Sequence, residues 1–157
     1  MKRMLISTTS MAAALLFAGP MGLLPVARAQ AEDDVQCSNR TIRGTYGFSV
    51  DGTFLAGTSP TPVAVLRAVA LTTFDGKGGL TQVDHYVVNG APQTPPNTDW
   101  PASTGTYTVN SDCTGKLTLN VPGMPPFVSY FVVTRSGKEI RTVLNANAVS
   151  SVGVRID

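Results

Sequence analysis

The most constraining feature of the sequence is a pair of long apolar runs, Val63 to Phe74 and Leu80 to Asn89, joined by Asp75 to Gly79. Both runs are rich in β-branched and aromatic residues, which favour β-strands. The joining segment contains Asp-Gly and Gly-Gly, and glycine reaches the positive φ angles of tight hairpin turns without a steric penalty. The sequence therefore predicts a central β-hairpin in an all-β protein.

Alternation and turn residues divide the rest of the chain into further strands, and no helical pattern competes with them after the N-terminal segment. The predicted strands are Thr41 to Val50, Val63 to Phe74, Leu80 to Asn89, Thr104 to Val109, Cys113 to Val121, Phe127 to Arg135, Lys138 to Ala146 and Val149 to Ile156. Eight sequential strands of this length favour an eight-stranded antiparallel up-and-down barrel, because closure leaves no exposed sheet edge.

Successive loops of such a barrel lie at opposite ends. The tight turns fall at one end, and they are Asp75 to Gly79, Asn110 to Asp112, and Ser136-Gly137. Three of the four connections at the other end are long or proline-rich, and they are Asp51 to Pro62, Gly90 to Ser103, and Val121 to Pro126. The sequence thus predicts a closed floor and an elaborated mouth.

The N-terminal segment has the pattern of a secretory signal peptide. Lys2 and Arg3 precede an apolar run from Met11 to Leu24, and Ala27-Arg28-Ala29 supplies a small-x-small cleavage site. The apolar run is shorter than the ~20 residues of a spanning helix and contains Gly and Pro, which disfavours a membrane anchor. The predicted organisation is a signal peptide (1–29), an N-terminal arm (30–40) and a barrel domain (41–157).

Charge excludes some partners. Removal of the signal peptide leaves nine basic against ten acidic residues, with no basic tract, so nucleic acid is not an expected partner. No later apolar run is long enough to span a bilayer, so we expect no membrane association after signal cleavage. The protein is expected to be secreted or periplasmic.

The two cysteines, Cys37 and Cys113, predict one disulfide, because an even pair in an exported protein is usually oxidised. A zinc site is disfavoured, since zinc needs about four ligands and His85 is the single histidine. Both cysteines fall at the predicted floor, where the bridge would hold the arm as a strap.

Pairing through the turns assigns side chains to faces of the sheet. The predicted inner set is Ile42, Tyr46, Phe48, Val50, Tyr107, Leu117, Leu119, Ser129, Phe131, Val133, Ile140, Thr142, Leu144, Val152, Val154 and Ile156. The central hairpin is apolar on both faces. If Phe74 pairs with Leu80, one face carries Asp84 and Tyr86 and the other carries Arg67 and His85.

We expect the Asp84 face of the hairpin to look inward, because Ala68 and Ala70 leave room beside Asp84 and Tyr86. The outer face would then be rich in valine and leucine, which suggests a homo-oligomer interface. An imperfect assignment of the pairing is the alternative.

Several motifs resemble a known group of proteins. They are Gly44-Thr45-Tyr46-Gly47-Phe48, Thr73 to Thr81, Asn89-Gly90, Thr104 to Asn110, and Asp112-Cys113-Thr114-Gly115. They resemble small exported bacterial proteins of unassigned role, which are similar in turn to allene oxide cyclase-like, calycin-type β-barrels. The resemblance implies a barrel fold, and the broader group includes cofactor-free cyclases, often oligomeric, and binders of small apolar molecules. No cyclase's catalytic residues match positions of this sequence, so the resemblance implies no catalytic residue and no cofactor.

Four residues are candidates for a ligand site. Asp84 and Tyr86, with Tyr46 from the first strand, would form a polar spot in an apolar cavity, or an internal network that satisfies only its own members. Trp100 lies in a proline-rich loop at the mouth, as a lid or as packing on the rim. Asp84 and His85 point to opposite faces of one strand and are not expected to act together.

These features support three functional hypotheses. The first is an exported barrel that binds a small apolar or amphipathic molecule. The second is a cofactor-free cyclase or isomerase that uses Asp84 and Tyr86. The third is a structural or interaction protein whose barrel is filled by side chains, as small barrels often are.

Overall fold

The computed structural model describes residues 36–56, 62–93 and 98–157 of the 157-residue chain. The predicted signal peptide (1–29) and residues 30–35 of the predicted arm lie outside the described residues. So do residues 57–61 and 94–97 in the two longest predicted loops.

Strands dominate the described chain. They are β1 (Gly44–Leu55), β2 (Pro62–Phe74), β3 (Gly79–Val88), β4 (Ala91–Pro92), β5 (Ala102–Val109), β6 (Thr114–Asn120), β7 (Phe127–Thr134), β8 (Glu139–Leu144) and β9 (Ala148–Arg155). Two 3₁₀ turns, Asn39–Ile42 and Arg135–Gly137, are also present.

The strands close into a barrel in chain order. β1 pairs with β2, β2 with β3, β3 with β5, and the series continues to β9, which returns to pair with β1. Every pair is antiparallel, and the two-residue β4 only extends the edge of β3. The predicted eight-stranded antiparallel up-and-down barrel is confirmed.

The first strand begins later than predicted. Ser38 and Thr41 exchange hydrogen bonds: the Ser38 N–H donates to Thr41 Oγ1 and the Thr41 N–H donates to the Ser38 carbonyl, both at 2.9 Å. These local bonds hold a 3₁₀ turn where the sequence predicted extended chain. Ile42 is fully buried as predicted, but from this turn rather than from β1.

The predicted disulfide is present, and it lies with the tight turns. Cys37 is bonded to Cys113 with Cα atoms 4.9 Å apart, and the Cys37 N–H donates to the Ser111 carbonyl (3.1 Å). The Asn39 side-chain oxygen accepts a hydrogen bond from the Val109 N–H (2.8 Å). The chain from Cys37 to Asn39 is therefore attached to the turn that joins β5 and β6.

Aromatic side chains fill the floor of the barrel. The rings of Tyr46 and Phe74 meet edge to face at 5.5 Å, and those of Phe74 and Tyr107 at 4.9 Å. Ile42 and Ile140 are buried in the same cluster. Since edge-to-face pairs and buried apolar area both stabilise, this cluster is the main core of the protein.

The predicted hairpin register is confirmed, because Phe74 pairs with Leu80. Asp84 and Tyr86 face the interior and Arg67 faces outward, so the alternative of an imperfect pairing is wrong. The outer face carries the exposed side chains Val63, Val65, Val69 and Leu71.

The orientation predicted for β9 is wrong. Val152, Val154 and Ile156 are 38, 49 and 64% exposed, whereas Val149 and Gly153 are buried. Gly153 pairs with Phe48 on β1 and with Ile140 on β8. A Cβ at Gly153 would lie 2.4 Å from the Phe48 ring, so the ring occupies the space of an inward side chain there.

Candidate functional site

A cavity of about 420 Å³ lies above the aromatic floor, within the barrel. This volume is within the roughly 300–1,000 Å³ range of small-molecule sites. Most of its lining is apolar: Phe48, Val50, Phe54, Leu66, Ala68, Ala70, Phe74, Leu80, Val88, Leu117, Leu119, Val121, Met124, Phe127, Leu144 and Val149. The polar lining residues are Thr72, Gln82, Asp84, Tyr86, Gln93, Ser129, Thr142, Ser150 and Ser151.

The central hairpin creates space for the cavity. Ala70 on β2 is paired with Asp84 on β3, and Ala68 is paired with Tyr86. A side chain one carbon long on β2 leaves room beside each larger polar residue on β3. The cavity therefore extends to the wall formed by β2 and β3, beside Asp84 and Tyr86.

Asp84 is the most unusual residue of this wall. It is only 9% exposed, and its Oδ2 accepts a hydrogen bond from Gln82 Nε2 (3.0 Å). Gln82 is oriented in turn by Thr72, whose hydroxyl donates to Gln82 Oε1 (2.8 Å). Asp84 Oδ1 has no hydrogen-bond partner among the described residues.

The environment of Asp84 disfavours its charged form. Burial raises the pKa of the Asp84 carboxyl above its usual value, while the Gln82 hydrogen bond and the charge of His85 act in the opposite direction. A buried carboxylate normally has partners for both oxygens, because an unpaired charge in an apolar environment is costly. Asp84 Oδ1 is therefore a buried polar atom that the hydrogen bonds of the described residues leave unsatisfied.

Tyr86 lies next to Asp84 on the same inward face. Burial and the nearby Asp84 carboxylate both raise the pKa of the Tyr86 phenol. The hydroxyl therefore stays protonated and can donate a hydrogen bond into the cavity. The structure brings these two predicted site residues together.

A second polar spot lies across the barrel from Asp84. β8 lies four strands from β3 in either direction around the barrel, and it carries Thr142. The hydroxyls of Thr142 and Ser151 are 2.6 Å apart and share one hydrogen bond. One hydroxyl proton of this pair is left to donate elsewhere. The cavity is therefore apolar with polar groups on two facing walls.

Tyr46 does not line the cavity. Its hydroxyl donates to the Gly137 carbonyl and accepts a hydrogen bond from Arg155 Nη2 (2.8 Å). Burial raises the pKa of Tyr46, against the opposing effect of Arg155. The structure places this predicted site residue in the floor, separate from Asp84 and Tyr86.

Trp100 does not line the cavity either. Its ring lies 6.0 Å from the ring of His85, whose Nδ1–H donates to the Asp99 carbonyl (2.9 Å). Trp100 is 51% exposed, and its partner His85 belongs to the outer face of the hairpin. The described ring contact of Trp100 is therefore with a residue of the outer face, outside the cavity.

Several polar residues of the cavity were not predicted as site residues. Ser151 was missed because the orientation of β9 was reversed. Thr72 and Gln82 follow the same alternation as Asp84, and that signal identifies them once the inward face is known. Ser103, paired with Gln82, is buried with an unpartnered hydroxyl among the described residues, although it does not line the cavity.

Within residues 36–56, 62–93 and 98–157, no group of three or more His, Cys, Asp or Glu side chains is arranged to hold a metal ion. The helical segments of the same residues are too short to cross a membrane.

Comparison of the chain with protein-family models, curated proteins and solved structures found no match. The resemblance to allene oxide cyclase-like barrels therefore stays a prediction based on turn and strand motifs.

Proposed function

We propose that the protein binds a small apolar or amphipathic molecule inside the barrel. The observation that carries this proposal is the apolar cavity of about 420 Å³ with the unpartnered Asp84 Oδ1 in its wall. Close packing is the rule in protein interiors, and a volume of this size is well above the voids that ordinary cores contain. The cavity favours this function over that of a filled, purely structural barrel.

The mouth offers an apolar route to the cavity. Val121 and Met124 in the β6–β7 connection and Phe127 at the start of β7 line the cavity, and Met124 is exposed to solvent as well. Methionine is flexible and polarisable, so it adapts to ligands of different shape. The ligand would enter here and lie between the hairpin and the β8–β9 wall.

The proposal is tested by filling the cavity. Diphenylhexatriene is an apolar dye that fluoresces strongly on leaving water, and the wild-type protein is expected to bind it. Ala68→Phe would place a ring in the cavity and weaken dye binding at least about tenfold, since even single methylene changes matter in apolar pockets.

Ala102→Phe is the matched control, because Ala102 is exposed on β5 and paired with the outward-facing Val83. It should bind the dye as the wild type does. Failure of the wild type to bind, or equal binding by Ala68→Phe with an unchanged circular dichroism spectrum, would exclude this cavity as the binding site.

A cofactor-free cyclase or isomerase is the second candidate, favoured by the raised pKa of the buried Asp84 carboxyl beside Tyr86. A carboxyl with a pKa shifted towards neutrality is suited to proton transfer. Mass spectrometry and chromatography of recovered ligands separate the two candidates: an unchanged molecule supports binding and a rearranged isomer supports catalysis.

We further propose export and self-association. The Cys37–Cys113 disulfide is compatible with an oxidising compartment outside the cytoplasm. The exposed valines of the hairpin support a homo-oligomer through that face, which sedimentation of the wild type and of Val69→Lys would test.

A further inference from the structure

The charge of the cavity wall constrains the chemistry of the ligand. Among the described residues that line the cavity, Asp84 is the single charged side chain, and no lysine or arginine accompanies it. Two arginines on the barrel strands form hydrogen bonds outside the cavity. Arg67 donates to the Leu66 carbonyl (2.8 Å), and Arg155 donates to Tyr46 and to the Thr41 carbonyl at the floor.

The hydrogen bonds around Asp84 hold its carboxyl in one orientation in the cavity wall. Gln82 Nε2 donates a hydrogen bond to Oδ2, and the Thr72 hydroxyl donates in turn to Gln82 Oε1. The side chain of Gln82 is therefore held in place by its own hydrogen bond to Thr72. Oδ1 has no partner among the described residues. Oδ1 is buried, so the carboxylate as a whole, rather than this one atom, is the group that attracts a hydrogen-bond donor and repels another anion.

Resting on the proposed function, we infer that the ligand is an apolar molecule with an amine group, whose ammonium form pairs with the Asp84 carboxylate. An ammonium group would supply the charge that the cavity wall lacks, while its apolar part would lie against Phe48, Leu117 and Leu119. A carboxylic acid of the same size would place a second negative charge beside Asp84. The cavity therefore selects amines over acids, with alcohols between them, because an alcohol donates a hydrogen bond without a charge.

The test compares decylamine, decyl alcohol and decanoic acid, which share one apolar chain and differ in the end group. Each compound is titrated against diphenylhexatriene bound to the purified, oxidised protein at neutral pH, below the compound's solubility limit or micelle concentration. A charge-assisted hydrogen bond contributes more binding free energy than a neutral one, and the difference corresponds to roughly tenfold or more in affinity. For the wild type, the amine should displace the dye at a concentration at least about tenfold below that of the acid.

Asp84→Asn removes the charge with almost no change of shape and should bring amine and acid within about threefold of each other. Asp51→Asn is the control with the same charge change, because Asp51 is exposed on the outer face of β1, and it should keep the wild-type preference.

Equal or tighter binding of the acid by the wild type would overturn the inference, as would an amine preference that survives in Asp84→Asn. Dye binding without displacement by any of the three compounds would also overturn it and leave the proposed function standing. No dye binding by the wild type would refute the proposed function and the inference together.

Discussion

Gly153→Ala tests whether the Phe48 ring determines the orientation of β9. A Cβ at position 153 would lie 2.4, 2.5 and 2.7 Å from three atoms of that ring. Normal carbon contacts are about 3.5–4.0 Å, so the ring would have to move by about 1 Å within a buried site. Overpacking of this kind typically costs about 1–3 kcal/mol in the free energy of unfolding.

An opposing effect sets the expected net value. Replacing glycine by alanine within a strand stabilises by about 0.5–1 kcal/mol, because the unfolded chain loses conformational freedom. The steric cost is the larger of the two, so we expect Gly153→Ala to lower the free energy of unfolding by about 1–2 kcal/mol. Urea denaturation followed by circular dichroism measures the change directly.

Gly47→Ala is the matched control on the neighbouring strand. Its Cβ would meet only Ile156 Cγ2 at 3.8 Å, an ordinary contact, so this variant should be neutral or slightly more stable than the wild type. Phe48→Leu supplies the second arm of a double-mutant cycle. In that background Gly153→Ala should lose its cost, giving a coupling energy of about 1–3 kcal/mol.

Two results would contradict a role for the Phe48 ring in orienting β9. One is a Gly153→Ala variant as stable as Gly47→Ala, and the other is an unchanged cost of Gly153→Ala when Leu occupies position 48. Either result would mean that the ring does not fill the space above Gly153. The inward orientation of Ser151 would then need a different cause.

Two further predictions concern the disulfide and Asp84. Replacing both Cys37 and Cys113 by Ala should lower the free energy of unfolding by roughly 4 kcal/mol, since the bridge spans 76 residues; a loss below about 1 kcal/mol in urea denaturation would show that the arm is held without it. Asp84→Asn should be more stable than the wild type at neutral pH. The folded-state pKa of Asp84 is raised above its ordinary 3.8, so the wild type gains stability as pH falls through that folded pKa. The difference in free energy of unfolding between Asp84→Asn and the wild type should therefore narrow at about pH 4. A variant that is less stable than the wild type at neutral pH would indicate that the Asp84 charge stabilises the fold.

The central hairpin shows what short-range sequence patterns can predict. The Asp75 to Gly79 turn and the alternation on either side predicted the pairing of Phe74 with Leu80, and with it the inward face that carries Asp84 and Tyr86. Turn chemistry acts over a few residues, and the side-chain period of a strand is two, so one correct pair orients the whole hairpin.

β9 shows where local pattern fails. Val152 and Val154 alternate as an inward-facing set would, yet they are exposed, because Phe48 from β1 already fills the space opposite Gly153. The same limit applies to Tyr46 and Trp100. Nothing in the sequence around Tyr46 shows that its hydroxyl bonds to Gly137 and Arg155. Nothing in the sequence around Trp100 shows that its ring packs on His85.

The sequence by itself determined the β class, the eight-stranded order, the Cys37–Cys113 bridge and the division into floor and mouth. Each of these depends on turns, alternation or residue type along a short stretch of chain. Only the tertiary structure decided that the upper barrel contains a cavity and that Thr142 and Ser151 lie across it from Asp84. Barrel closure brings side chains from different strands into one shared volume, and which of them fill it depends on packing between strands far apart in sequence.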